Sequence, residues 1–129
     1  MFTNTPTFSS YSVDSIDKVL HFYQHTLGLV SERTREGLDI TLAKGAKLFL
    51  YEKKDHAPAT FTVLNFVVES IDQAVDELVA AGIQLEQYNQ GEMRADAKGI
   101  YRGIASGHGP DIAWFKDPAG NILSVVQNS

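Results

Sequence analysis

A repeat within the chain is the feature that most restricts its fold. Residues 13–20, VDSIDKVL, recur as residues 68–75, VESIDQAV, with an offset of 68 − 13 = 55 residues. In both copies an acidic residue and a serine precede an apolar run with helical periodicity, which is typical of a helix start. The sequence therefore predicts helices near residues 15–27 and 70–81, at equivalent places in two related modules.

The ends of both predicted helices carry local signals as well. Side chains that can accept hydrogen bonds from the first free amides stand just before each run: Ser15 or Asp14, and Ser70 or Glu69. Each run closes on a glycine, Gly28 or Gly82, which suits the left-handed residue that follows a helix. The apolar residues of each helix fall on one stripe, so we expect each helix to cover one face of a sheet, while the other face is buried by a partner, lined as a cleft, or both.

Later segments of the two modules also match. Residues 40–42 correspond to 112–114, and residues 45–48 correspond to 120–123, with the strong turn sequence DPAGN at residues 117–121. Both pairs indicate hairpins. The predicted strands lie near residues 7–13, 30–34, 38–42 and 47–52 in the first module, and near 61–68, 83–88, 110–116 and 121–127 in the second.

The expected fold class is therefore α+β, with two βαβββ modules and one main helix in each. We expect a single domain over residues 1–129, built from modules at 1–55 and 60–129. Residues 53–59, which include Pro58, form the expected linker. Residues 89–108 are too long for a hairpin turn and are expected to form a functional loop or a lid.

Composition excludes several classes of function. The formal net charge is −5, and an acidic surface repels phosphate backbones, so nucleic acid is not an expected partner. The chain has no cysteine, which excludes disulfides and thiolate chemistry. Neither a secretory signal nor a membrane-spanning run is apparent, so we expect a cytoplasmic protein.

Two stretches resemble the vicinal-oxygen-chelate superfamily, which includes glyoxalases, bleomycin resistance proteins and extradiol dioxygenases. The first is FYQHTLGL at residues 22–29, and the second is IAWFKDPAGNIL at residues 112–123. With the two modules, the resemblance extends over nearly the whole chain. It implies that curved mixed sheets form an open cleft (glyoxalase/bleomycin-resistance-like) and that the protein is a homodimer.

In metal-dependent members of this superfamily, four side chains on the first and last strands of the modules hold a divalent ion. The matching positions here are Phe8, Phe49, Val63 and Ser124, and Phe8 and Val63 again differ by 63 − 8 = 55 residues. Three of these side chains have no lone pair to offer, and a serine hydroxyl is a poor neutral ligand. We therefore expect no metal and no other cofactor there.

Strand alternation adds residues two positions away to the same cleft face. The predicted ligand-binding set is Phe8, Ser10, Phe49, Tyr51, Val63, Asn65, Tyr101, His108, Trp114 and Ser124. Trp114 matches a family position that often touches ligand, and its indole N–H needs a partner. The alternative for Phe8, Phe49 and Val63 is a purely structural role in the core.

The long segment and the histidines leave further possibilities open. The segment carries Glu92, Arg94, Asp96, Lys98, Tyr101 and Arg102. If it folds over the cleft, Tyr101 or Arg102 would touch ligand; otherwise its charges are simply solvated. His108 is the one candidate acid or base, because imidazole titrates near neutral pH. We expect His21 and His25 on a solvated helix face and His56 exposed in the linker.

Three functions remain possible. The first is a metal-independent protein that binds an aromatic or amphipathic small molecule in an apolar cleft. The second is a lyase or dioxygenase-like enzyme with a non-standard metal site, or one that uses His108 with Tyr51 or Tyr101 for metal-free acid–base work. The third is a structural dimer whose cleft is vestigial.

Overall fold

Each module of the sequence folds as a strand, a helix and three further strands. The computed structural model describes residues 1–89, 91 and 93–129, so Gln90 and Glu92 lie outside the described residues. The first unit, residues 1–58, contains β1 (Ser9–Val13), α1 (Ile16–His21), β2 (Val30–Arg33), β3 (Leu38–Thr41) and β4 (Lys47–Glu52). The second unit, residues 59–129, contains β5 (Thr62–Val67), α2 (Ile71–Ala80), β6 (Tyr101–Arg102), α3 (Gly103–Ser106), β7 (Asp111–Lys116) and β8 (Ile122–Gln127).

The two sheets have the same topology. Their strand orders are β1-β4-β3-β2 and β5-β8-β7-β6. In each sheet the first and last strands of the module pair in parallel, and the remaining pairs are antiparallel. The predicted α+β class with two βαβββ modules and mixed sheets is confirmed. None of the helices in the described part of the chain is long and apolar enough to cross a membrane.

The hydrogen-bond register fixes which residues of the two sheets are equivalent. Asp39 pairs with Phe49 in the first sheet, and Trp114 pairs with Ser124 in the second. On the third strands of the two modules, and likewise on their last strands, equivalent residues are therefore 75 positions apart (114 − 39 = 75; 124 − 49 = 75). The expected match of residues 40–42 with 112–114 is wrong by three positions, because short apolar strand segments look alike and only the pairing fixes their face.

Both helices begin at a side chain from the end of their own sheet. The Ile16 amide donates to Glu52 Oε1 at 2.9 Å, and the Ile71 amide donates to Gln127 Oε1 at 2.9 Å. Glu52 and Gln127 are the last residues of β4 and β8, so the same cap recurs in both units. Such bonds satisfy one of the amides that a helix start leaves without a partner.

The predicted end signals are correct in all but one place. Ser70 accepts a hydrogen bond from the Gln73 amide at 3.2 Å, as expected. The side chain of Ser15 makes no such bond, since Glu52 serves that helix instead. Gly28 (φ 70°) and Gly82 (φ 87°) adopt the left-handed conformation expected after the helices. The helix α1 continues into a π-helical segment, Phe22–Thr26.

The second unit departs from the prediction at its edge strand. Residues 83–88 form no strand and contribute only an isolated bridge between Glu86 and Trp114. The edge strand is instead β6, which lies inside the segment predicted to be loop and pairs with β7 through Tyr101–Ile112 and Arg102–Asp111. Alternation in residues 83–88 suggested a strand, but a two-residue strand leaves no periodic signal in a sequence.

Candidate functional site

The sheet of the first unit has one buried face and one open face. Leu48 and Leu50 of β4 are buried on the side of α1, with exposed fractions of 2% and 0%. Phe49 and Tyr51 alternate with them, are half-buried, and lie on the opposite face with their rings nearly parallel at a centroid distance of 6.2 Å. The role of pure core residue is therefore not supported for Phe49, which lies at the open surface of its sheet.

A row of four side chains crosses this open face. Register pairs join Ser10 to Phe49, Phe49 to Asp39, and Asp39 to Glu32. Gly37 permits the close approach behind Phe49, since a Cβ at Gly37 would lie 2.1 Å from the Leu50 carbonyl oxygen and 3.1 Å from the Phe49 ring. An aromatic ring thus stands directly beside carboxylates on an exposed sheet.

The open face of the first unit is concave. It holds a hollow of about 640 Å³ that is walled by Phe8, Val30 and Phe49 and also by carboxylates and one lysine. Phe8, just before β1, is 67% exposed. A volume of this size matches the clefts that bind small organic molecules.

His56 is not exposed in the linker as expected. It is half-buried, and its Nδ1 lies 2.7 Å from the Ser12 hydroxyl. Ser12 lies on β1 opposite Tyr51. The histidine therefore belongs to the same open face as the predicted residues Ser10 and Tyr51. His21 and His25 are exposed, as predicted.

An aromatic cluster covers the equivalent face of the second unit. The indole of Trp114 donates from Nε1 to Thr62 Oγ1 at 2.9 Å. Its ring contacts Tyr101 edge-on at 5.0 Å and Tyr88 at 5.6 Å between centroids. The Tyr101 hydroxyl accepts a hydrogen bond from the Tyr88 amide. Burial, with the nearby Glu86 carboxylate, raises the pKa of Tyr88.

The predicted first-strand and last-strand positions of this unit lie close to the cluster. Ser124 is fully buried and donates its hydroxyl hydrogen to Asn65 Oδ1. Val63 is half-buried at a bulge between Thr62 and Leu64. A smaller hollow of about 560 Å³ is lined by Tyr101, Trp114 and His108, together with Met93, Arg94 and Arg102.

Within the described residues, the long segment is attached to its own unit by ion pairs. Arg102 donates to Asp72 from Nη1 at 3.0 Å and from Nη2 at 2.8 Å, and from Nε to Asp96 at 2.9 Å. Hydrogen bonds from Arg102 and then Lys98 hold the pKa of Asp72 well below its usual value. Ligand contact by Tyr101 or Arg102 stays a prediction: both residues line the smaller hollow, although the guanidinium is engaged in ion pairs and Tyr101 is only 5% exposed. Glu92 of this segment lies outside the described residues.

The four positions that the family resemblance assigns to a metal do not suit a divalent ion. Phe8, Phe49 and Val63 present hydrocarbon only, and the Ser124 hydroxyl hydrogen is directed to Asn65. Nor does any group of three or more histidines or carboxylates elsewhere in the described chain come together as a metal site.

Several residues of these faces could not be assigned to a site from the sequence alone. Glu32, Asp39 and Gly37 were not singled out because their face depends on register. Thr62 joins the second face because the bulge interrupts alternation after it. Of these residues, only Tyr88 had a feature in the sequence that could have marked it as part of a site: it is an aromatic residue next to the predicted loop.

The sequence profile described as Glyoxalase/Bleomycin resistance protein/Dioxygenase superfamily matches residues 7–125. The chain therefore belongs to this superfamily. No curated protein sequence matches it significantly.

Solved structures of the superfamily share the fold at low sequence identity. A glyoxalase family protein from Enterococcus faecalis is 21% identical, with a TM-score of 0.68 and coverage of 98% of this chain and 99% of that chain. A genomically encoded fosfomycin resistance protein from Listeria monocytogenes is 11% identical, with a TM-score of 0.68 and coverage of 98% and 92%. Lactoylglutathione lyase from Agrobacterium tumefaciens is 15% identical, with a TM-score of 0.65 and coverage of 97% and 95%.

Proposed function

We propose that this protein binds an aromatic or amphipathic small molecule without a metal, on the open faces of its sheets. The observation that carries the proposal is the row in which Phe49 stands between Ser10 and Asp39, because Phe49 and Asp39 line a hollow of about 640 Å³. An apolar wall with a few polar groups is the usual composition of a small-molecule site. In the second unit, Trp114, Tyr101 and His108 supply the corresponding contacts.

The charges of the first hollow favour a ligand that carries a positive charge. Glu32, Glu36 and Asp39 line it with Lys47, which gives a formal charge of −3 + 1 = −2. Among the described residues none of these three carboxylates forms an ion pair. Most aspartates outside this hollow do form one. A cation beside Phe49 would gain attraction from the ring face and from the carboxylates.

Calorimetric titration with three probes of similar shape tests this site. The probes are benzyltrimethylammonium, its uncharged carbon isostere neopentylbenzene, and the anion phenylacetate. We expect the cation to bind most tightly. Asp39→Asn should weaken the cation by about threefold to tenfold while leaving the neutral probe unchanged, as expected for loss of about 1 kcal/mol. Glu69→Gln, an exposed carboxylate outside the hollow, is the control for overall charge.

The outcomes separate the competing functions. Equal binding of the cation and the neutral probe would support small-molecule binding but remove the charge preference. No binding of any probe, and no rise in melting temperature, would favour the structural dimer with a vestigial cleft. About one divalent ion per chain in protein purified without chelator would contradict metal independence.

A second candidate function, metal-free acid–base catalysis, is favoured by one contact. The Ser12 hydroxyl lies 2.7 Å from His56 Nδ1 on the open face, next to Tyr51. An imidazole held in this way can take a proton from a bound carbonyl compound. Loss of the benzylic proton signal of phenylacetone in deuterated water, catalysed by the wild type and not by His56→Gln, would support it; equal rates would remove it.

We also propose that the two units form one domain, and that the protein is a homodimer in the cytoplasm. Dimers are common in the superfamily to which the chain belongs. A single cooperative unfolding transition and a mass of two chains by light scattering are the expected results. Two transitions would contradict the single domain, and a monomer at micromolar concentration would contradict the homodimer.

A further inference from the structure

An arginine joins the edge strand to the helix in both units. In the first, Arg33 of β2 donates to Asp17 in the first turn of α1. In the second, Arg102 of β6 donates to Asp72 in the first turn of α2. The two aspartates are 72 − 17 = 55 residues apart, the offset of the sequence repeat. We call each of these Arg–Asp pairs a clasp.

The clasp of the second unit is the more elaborate. Two guanidinium nitrogens of Arg102 reach both carboxylate oxygens of Asp72, and a third reaches Asp96. Lys98 adds contacts to Asp72 at 3.1 Å and to Asp76 at 3.0 Å. Bidentate pairs of this kind fix geometry more strongly than single contacts do.

Tyr101 is the neighbour of Arg102 on β6 and lies on the other face of the sheet. Successive residues of a strand point to opposite faces, so Arg102 faces α2 while Tyr101 packs on Trp114. The strand β6 has only two residues, both paired with β7. So short an edge strand is weak by itself, because few hydrogen bonds hold it.

We propose that Arg102 is a positioning residue for ligand binding: through β6 it holds Tyr101 against Trp114 and so sets the wall of the second hollow. The role in binding rests on the proposed function, whereas the positioning itself can be measured without any ligand. Arg102 also lines the hollow, but the carboxylates of Asp72, Asp96 and Asp111 engage its guanidinium, so its effect on the wall is transmitted through Tyr101.

The single tryptophan provides the readout. In Arg102→Gln we expect the emission of Trp114 to shift to longer wavelength and its acrylamide quenching constant to rise by about twofold, because local opening exposes the ring. Arg102→Lys, which keeps the charge but loses the bidentate geometry, should restore part of the wild-type spectrum. Arg33→Gln is the matched control, since it opens the other clasp, and should leave Trp114 emission unchanged.

A second variant keeps the proposal testable if the first one does not fold. If Arg102→Gln fails to fold, Asp96→Asn removes one of the three carboxylates that pair with Arg102 and should still increase quenching by a smaller factor. Wild-type emission and quenching in the folded arginine variant, or in Asp96→Asn if only that one folds, would overturn the proposal. An equal change in Arg33→Gln would also overturn it, because the effect would then not be local to the second hollow.

Discussion

The open faces of the two sheets share a register and differ in what stands on it. Phe49 occupies the last strand of the first sheet where Ser124 occupies the second, and Asp39 occupies the third strand where Trp114 does. The aromatic and small side chains have thus exchanged strands. In the first unit the ring of Phe49 lines a hollow whose carboxylates form no ion pair with any described residue, whereas in the second Trp114 lies between two tyrosines.

This difference separates what the repeat preserves from what it varies. Strand order, the side-chain cap at the helix start and the clasp recur in both units, and the cap and the clasp join the helix to a strand of its sheet. The open faces lie on the other side of each sheet and take no part in the cap or the clasp. The clasp and cap are consistent with a structural role, and the faces with a functional one.

The largest expected effect contrasts the two aromatic residues. Trp114→Ala should lower the free energy of unfolding by about 3 kcal/mol, because it leaves a cavity in a packed cluster. Phe49→Ala should cost about 1 kcal/mol: both rings are half-buried, but Phe49 stacks on Tyr51 alone, whereas Trp114 packs on two tyrosines and donates to Thr62. Urea denaturation of both variants measures this, and equal losses would contradict the difference between the faces.

A pair of glycine variants tests how Phe49 is placed. Gly37→Ala and Gly103→Ala both bring a Cβ against a carbonyl oxygen, at 2.1 Å and 2.3 Å, so each should cost about 2 kcal/mol. Only Gly37→Ala should also weaken benzyltrimethylammonium binding, since it displaces Phe49. Weakening by both variants, measured by calorimetry below their melting temperatures, would show that the effect is not specific to the first hollow, because Gly103 lines the second.

Acid stability should depend on the clasp of the second unit. The pKa of Asp72 lies below its ordinary value of 3.8, so its stabilising contribution is present above that value and is lost as pH falls towards the lowered pKa. In urea unfolding between about pH 2 and pH 6, Asp72→Asn should therefore lose less stability on acidification than the wild type does. Parallel curves for the two proteins would show that the pair contributes nothing to acid stability.

The smallest expected effect on stability belongs to the carboxylates of the first hollow. Glu32→Gln and Asp39→Asn should change the free energy of unfolding by less than about 0.5 kcal/mol, because both side chains are exposed. A larger loss, seen by thermal denaturation, would mean that these carboxylates serve the fold and would weaken the case for a ligand site.

The sequence predicted the elements that are built from local signals. The serine and glycine signals placed α2 near residues 70–81, and the structure has it at Ile71–Ala80. The turn at residues 117–121 also formed as expected, with Asp117 Oδ1 accepting from the amides of Ala119 and Asn121. Such signals act within a few residues, so they can be read without knowledge of the tertiary structure.

The rest depends on contacts between distant residues. Glu52 caps a helix that begins 36 residues earlier, and Thr62 accepts from Trp114 across 52 residues. Strand β6 has no periodic pattern, and the equivalence of Asp39 with Trp114 follows only from the pairing of strands. No local propensity encodes these relations, so the face on which Asp39 and Glu32 lie was missed.

Backbone NMR of chelator-treated, ¹⁵N-labelled protein, titrated with benzyltrimethylammonium, tests metal-independent binding most directly. We predict saturable shifts at the amides of Ser10, Asp39 and Phe49, with the same midpoint before and after addition of Zn²⁺. Shifts that appear only once Zn²⁺ is present would contradict metal-independent binding on the open face. A titration in which these three amides do not shift at all would contradict it as well.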